Sequence, residues 1–289
     1  MLWRDAEIEY LRSVMQGEVD KAQAFETLHQ KQAQLQQDFE FIANANVGGE
    51  FMSDDKVERI KHIASQTWMR HFDNRLGLSP CEELVRVPLQ GPLPVEESLL
   101  ADKPEHIIDR VRPMEFDPNH GIKMDVPEHQ YNYGEIYNLS ISRGTLTAED
   151  RFKINEHMIS GIKMLEALPF PPELSKVPRY ASTHHETLDG KGYPRKLTAE
   201  QLSIPERILV IADVFEALTA ADRPYKKAKP LSVAIDILSH MANDNHIDKD
   251  LFMLFLTSGG FKQYADKYLP PEQIDEVDIT KYVQTAVSA

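Results

Sequence analysis

Residues 184–194 read His184-His185-Glu186-Thr187-Leu188-Asp189-Gly190-Lys191-Gly192-Tyr193-Pro194. Two imidazoles with two acids close behind offer the nitrogen and oxygen donors that transition metals take. Adjacent histidines point in different directions, so the pair can serve two ions, or one ion and a phosphate. The Gly-Tyr-Pro triplet after them reads as a turn.

The flanking sequence is helical. Upstream, Thr147 with Glu149 and Asp150 opens a helix, because a hydroxyl cap and acids in the first turn suit a helix N-terminus. Phe152, Ile159, Ile162 and Leu165 give that helix an inward face, and His157 sits in the middle of it. The spacing predicts further helices over 173–185, 198–221 with a break at Ile204-Pro205, 230–242, 248–257 and 271–286. Downstream of the histidines, Asp213 lies between Ile211-Ala212 and Val214-Phe215. A carboxylate in so apolar a stretch is expected to be paired, hydrogen-bonded or on a metal. Beyond it, Arg223, Tyr225, Lys226 and Lys227 form a basic cluster, suited to receive phosphate or to sit at a helix end.

The N-terminal part is helical too, over 5–45, with Leu28, Leu35 and Ile42 seven apart. That period allows a coiled-coil stalk joining two copies, or one amphipathic helix on the core. Val47-Gly48-Gly49 breaks it, and 54–76 reads as another helix. Prolines crowd 86–127, an irregular connector. No β-hairpin or βαβ rhythm stands out. The expected fold is all-α, with a helical extension over 1–48 and a helical domain over 49–289 interrupted by an irregular insertion at about 86–130.

The net charge of −14 argues against non-specific binding to DNA or RNA. The single cysteine, Cys81, fits a reducing compartment. No apolar run is long enough to span a membrane, and the N-terminus lacks the basic flank and apolar core of a signal peptide. A cytoplasmic location is therefore expected.

His184-His185-Glu186, Asp189-Gly190 and Gly192-Tyr193-Pro194, followed by Ala212-Asp213-Val214-Phe215-Glu216-Ala217-Leu218 and Asp222-Arg223-Pro224-Tyr225, closely resemble the HD-GYP family. Its members are all-helical, metal-dependent phosphodiesterases of bacterial cyclic-dinucleotide signalling. The resemblance covers roughly 135–260 and, more weakly, 50–80. It implies an HD-superfamily helical bundle. It places His157, His184, His185 and Asp213 on metal-ligand positions, with His184 and Asp213 central to catalysis. Gly192, Tyr193 and Pro194 form the loop beside the substrate, where the family also meets partner proteins such as a diguanylate cyclase domain. Arg223 and Lys226 fall where substrate phosphates are held.

The family's His-Asp pair is missing. Tyr137-Asn138 stands in the matching place, as in a Tyr-Asn variant class that this sequence resembles better. Asn138 offers only a neutral carbonyl oxygen to a metal, and Tyr137 is a poor ligand unless ionised. The surviving set could hold one divalent ion (Fe, Mn, Zn or Ni) more readily than two. Two readings are open. In one, the chain binds a cyclic dinucleotide or a partner protein with weak or no catalysis, and passes a signal through its N-terminal helix, where a homodimer can form. In the other, it hydrolyses cyclic di-GMP or cyclic GMP-AMP, with Glu128, His129 or Glu135 supplying the missing ligand.

Overall fold

The computed structural model describes residues 1–17, 19–86, 91–220 and 228–282. The chain divides into two compact units. One comprises Met1–Pro113 with Pro127–Lys153, the other Met114–Val126 with Ile154–Ala289. Helices dominate both, and no helix among the described residues is long and apolar enough to cross a membrane.

In the first unit, α1 (Leu2–Gln16) and α2 (Lys21–Val47) pack on one another. They do not form the single helix expected over 5–45. Gly17 adopts a left-handed φ of 68°, and the Asp20 carboxylate accepts the Ala22 and Gln23 amides to restart the chain. Left-handed backbone costs glycine little, so the break is local chemistry rather than tertiary force. Ala6 and Ala24 are buried, and Lys31 pairs with Glu9 at 2.7 Å.

Helix α3 (Asp54–Ala64) buries Ile60, Ile63 and Ala64. It stops twelve residues short of the end expected at 76, because Thr67–Arg70 is strand β1. The strand pairs antiparallel with β2 (Val95–Ser98), Thr67 opposite Ser98. A short α4 (Pro80–Val85) lies between them, opened by a reciprocal Ser79–Glu82 cap. A second pair joins β3 (Ile107–Ile108) to β4 (Tyr131–Asn132). These two small ladders give the proline-crowded segment structure that periodicity does not show.

Helix α5 (Glu135–Leu139) carries Tyr137-Asn138. Asp102 accepts the Ile136 and Tyr137 amides, and Glu135 accepts the Ala101 amide. Helix α6 (Ala148–Glu166) then opens as the sequence predicts, with the Thr147 hydroxyl accepting the Asp150 amide at 3.0 Å.

In the second unit, α7 (Val177–Ala181) leads to the histidine pair. Helices α8 (Ile204–Thr219), α9 (Leu231–Asn243), α10 (Lys249–Thr257) and α11 (Gly260–Tyr268) build the core. Ile211, Phe215, Leu231, Ile235, Leu238, Phe252, Leu256 and Phe261 close it. The sequence pattern does not predict α11. The helix expected over 271–286 does not form as predicted: Pro271–Gln273 is a short 3-10 turn, 274–278 is irregular, helix resumes only at 280–282, and 283–286 lie outside the described residues.

Candidate metal centre

The second unit assembles three histidines. A ligand atom from each of His157, His184 and His185 lies within 4.8 Å of the others. His157 projects from the middle of α6 and is exposed, where a mid-helix histidine on an apolar face is expected to turn inward. Its Nδ1 lies 2.7 Å from the Ile154 carbonyl, and His184 Nδ1 lies 2.8 Å from the Ala181 carbonyl. A carbonyl only accepts, so each of these nitrogens carries the hydrogen. That leaves each Nε2 with a free lone pair, the form in which imidazole binds metal.

His185 stands between its two neighbours and Tyr193, whose ring stacks on it at 4.7 Å between centroids. Burial pushes its pKa down to about 4, and the two adjacent imidazoles push the same way against the pull of Asp213. The ring is therefore neutral near pH 7. Asp213 is not a member of the three-histidine group but touches it, with Oδ2 at 3.5 Å from His185 Nδ1. Its side chain is 39% exposed. The apolar neighbours in sequence do not enclose it, because Ile211 and Phe215 face the core while Ala212 and Asp213 turn outward on α8.

Glu186 serves a different purpose from its neighbours. Its side chain has no exposure and accepts the Arg195 amide at 2.7 Å and the Leu197 amide at 2.8 Å. It clasps the Gly-Tyr-Pro loop from behind rather than offering its oxygens to a metal. Burial raises its pKa against those two hydrogen bonds. Gly192 is required by space. A Cβ there would sit 2.4 Å from the Thr187 nitrogen and 2.5 Å from the Glu186 Cα. The Tyr193 amide donates to the His185 carbonyl at 3.1 Å, fastening the loop to the histidine pair. Asp189 caps the turn, accepting from the Thr187 hydroxyl at 2.6 Å and the Lys191 amide at 3.1 Å.

Nothing in the sequence singles out Arg195, yet it binds the site together. Its guanidinium donates to the His120 carbonyl, the Ser182 hydroxyl and Glu166 at 2.7, 2.7 and 3.1 Å. His120 belongs to the proline-crowded segment. That segment also sends the Lys123 amide to the Pro194 carbonyl at 2.8 Å and Asp125 to Lys196 at 2.9 Å. The position after Gly-Tyr-Pro is the one available signal, and it names no partner.

The Tyr137 hydroxyl and the Asn138 side-chain nitrogen are engaged within the first unit. The Tyr137 hydroxyl donates to Glu149 at 2.9 Å, while burial and that carboxylate raise its pKa. The Asn138 amide nitrogen donates to the Asn132 and Gly134 carbonyls at 2.9 and 2.7 Å. The alternative donors are engaged there too. His129 lies 2.9 Å from Asp109 and 4.0 Å from Glu128, and Glu135 holds the Ala101 amide. Arg223 and Lys226 lie outside the described residues.

A protein-family model described as an HD domain matches residues 94–251, more than half of the chain. The chain belongs to the HD-domain family, in its HD-GYP branch. Similar proteins bear names drawn from cyclic-dinucleotide hydrolysis. Over 78 residues the chain is 44% identical to the 3'3'-cGAMP-specific phosphodiesterase 1 of Vibrio cholerae, covering 27% of this chain and 18% of that protein. Over 91 residues it is 38% identical to a cyclic di-GMP phosphodiesterase of Thermotoga maritima, covering 32% and 24%. Over 117 residues it is 33% identical to a cyclic di-GMP phosphodiesterase of Pseudomonas aeruginosa, covering 40% and 27%. Each match thus spans about a quarter or less of the relative's length.

Proposed function

We propose that this chain is a cyclic-dinucleotide signalling protein whose metal site is reduced to one ion and whose catalysis is weak or lost. One observation carries this. Three histidines are gathered, two of them with Nδ1 on a backbone carbonyl and Nε2 left to bind, while Tyr137 and Asn138 spend their polar hydrogens on Glu149, Asn132 and Gly134. His157 and His184 would hold a divalent transition ion through Nε2, with His185 and Asp213 closing the set. Three nitrogens and one carboxylate suit Fe, Mn, Zn or Ni and leave open positions. When bound, such an ion supplies Lewis acidity for phosphodiester cleavage. The protein's own contribution is orientation. Glu186 and Gly192 hold the Gly-Tyr-Pro loop against the histidines, with the Tyr193 ring stacked on His185. The same loop is the surface on which a cyclic dinucleotide or a diguanylate cyclase domain would dock. Exposed Ile8, Leu11 and Met15 on α1 support self-association through the N-terminal helices.

An active phosphodiesterase is the second reading. The His185–Asp213 contact favours it, since a carboxylate beside a neutral imidazole retains the ligand types that hydrolysis needs. The deciding experiment measures metal by elemental analysis and turnover of cyclic di-GMP and 3'3'-cGAMP on one sample, loaded anaerobically with Mn²⁺ or Fe²⁺. One ion per chain, with nucleotide binding but negligible turnover, is expected. Two ions, with turnover abolished by Asp213→Ala, would establish the second reading instead.

A further inference from the structure

The Val47-Gly48-Gly49 break fastens the end of one helix to the start of another. Helix α2 runs for 27 residues, about 40 Å. Gly48 closes it at φ 77° and ψ 174°, a backbone region that is essentially open to glycine alone. The chain then lies against the loop that precedes α6. Phe51 bridges Arg143 in the antiparallel sense. The Met52 amide donates to the Ser142 carbonyl at 3.0 Å, and the Gly144 amide donates to the Glu50 carbonyl at 3.1 Å. A Cβ on Gly48 would sit 2.7 Å from Thr145 Cγ2, so glycine sets how closely the end of α2 approaches this loop. Two residues beyond Thr145, the Thr147 hydroxyl caps α6 by accepting the Asp150 amide.

Helix α6 carries this fastening to the histidines. His157 lies ten residues beyond Thr147, about 15 Å along the helix axis. The helix itself sets the imidazole, because Nδ1 is held 2.7 Å from the Ile154 carbonyl. Any shift or rotation of α6 therefore moves Nε2 with it. Metal–ligand distances tolerate only about 0.2 Å, so affinity responds to displacements too small to disturb the packing. The fastening also has room to move. A cavity of about 60 Å³ lies beside it, with walls that include Asn46, Gly48, Asn138, Gly144 and Thr145. A close-packed contact would have no such slack.

We propose that the contact of the α2 end with residues 142–145 regulates the metal centre, by setting the position of α6 and so of His157. Input arriving along α2 would tighten or loosen metal binding. Metal binding would in turn steady the pairing of 50–52 with 142–144, because coupling between two sites is reciprocal. The proposal rests on the metal-binding reading given above.

The test uses the full chain with Zn²⁺ alone as the probe. Zn²⁺ affinity is measured by chelator competition for the parent and two variants. Gly48→Ala must displace Thr145 or the backbone that carries it. Gly17→Ala is the matched control, since Gly17 also has a positive φ of 68° but a Cβ there meets nothing within 4 Å. Gly48→Ala is expected to weaken Zn²⁺ binding at least about fivefold, and Gly17→Ala less than about twofold. Hydrogen exchange on the parent needs no variant to fold. Bound Zn²⁺ should slow exchange in peptides covering 50–53 and 142–147 about fivefold, relative to the β2 peptide. If circular dichroism shows Gly48→Ala unfolded, the exchange result alone decides. A folded Gly48→Ala that binds Zn²⁺ within about twofold of the parent, or exchange in those peptides that bound Zn²⁺ does not change, overturns the proposal and leaves the metal site standing. A parent that binds no Zn²⁺ overturns the metal-binding reading and this coupling with it.

Discussion

Replacing Glu186 by alanine tests whether the Gly-Tyr-Pro loop is held from behind. The carboxylate has no exposure and accepts two amides, from Arg195 at 2.7 Å and Leu197 at 2.8 Å. Alanine leaves both donors without an acceptor, at about 1–3 kcal/mol each. Loss of the buried methylene adds about 1 kcal/mol. Relief of a buried charge offsets part of this, since burial outweighs the hydrogen bonds in raising the carboxyl's pKa. The net expectation is a loss of about 4 kcal/mol for Glu186→Ala. Glu186→Gln keeps one carbonyl oxygen and turns an NH₂ toward the other amide, so about 2 kcal/mol is expected. Urea unfolding followed by far-UV circular dichroism measures both. Tryptophan emission serves as a control, because Trp3 and Trp68 belong to the first unit. Metal binding should weaken in the same order, since the Tyr193 amide ties the loop to the His185 carbonyl. If Glu186→Ala unfolds within about 1 kcal/mol of the parent, the two amides have other acceptors and the clasp does not exist.

Gly192→Ala should cost about 3 kcal/mol and lower metal content, because the new Cβ would meet backbone atoms of Glu186 and Thr187 that cannot give way; urea unfolding and elemental analysis measure the two effects. Tyr137→Phe should cost about 1–2 kcal/mol through the lost Glu149 contact while leaving metal content unchanged, and a drop in bound metal would refute its purely structural place. His185 has a folded pKa of about 4 against 6.5 when free. The unfolded chain therefore binds the extra proton between those values, and the metal-free protein should lose stability as pH falls through that window. The gap sets a ceiling of about 3 kcal/mol, reduced to about 1–2 by solvent access to the ring. His185→Gln should flatten the slope between pH 6.5 and 4 in thermal unfolding.

The histidine cluster is legible in the sequence because its signal is compositional. Two adjacent imidazoles, a third on a neighbouring helix and a glycine-rich turn after them are each visible without knowing the fold. Asp213 is visible as a residue and misleading as an environment. Apolar neighbours at adjacent positions lie on different faces of a helix, so Ile211 and Phe215 enter the core while Asp213 faces out. Glu186 misleads in the opposite sense. An acid beside two histidines reads as a donor, yet the turn after Thr183 drives it inward to the Arg195 and Leu197 amides. The docking of residues 120–125 on the loop is not legible. It rests on contacts brought together across some seventy residues, in which the Arg195 guanidinium and the Pro194 carbonyl meet backbone groups and Lys196 meets Asp125; backbone groups have no sequence signature, and neither side chain names its distant partner. The same holds for β1 and β2, four residues each, too short for their alternation to stand out from a helix pattern.

The competence of the metal centre turns on how Tyr137-Asn138 is accommodated. Had the pair been an idle remnant, its polar atoms would face solvent or lack partners. Instead the Tyr137 hydroxyl meets Glu149, whose side chain is buried, and the Asn138 amide closes two carbonyls near the start of α5. A histidine at 137 could not place a hydroxyl on Glu149. An aspartate at 138 would present oxygens to two carbonyl oxygens, a repulsive contact. Restoring a His-Asp pair by two substitutions would therefore break three hydrogen bonds in the first unit before adding any ligand to the histidine cluster. The variant residues are integrated into the packing of α5. Under the proposed one-ion reading, the measurement that follows is the metal affinity of the set His157, His184, His185 and Asp213 with Tyr137 and Asn138 left in place.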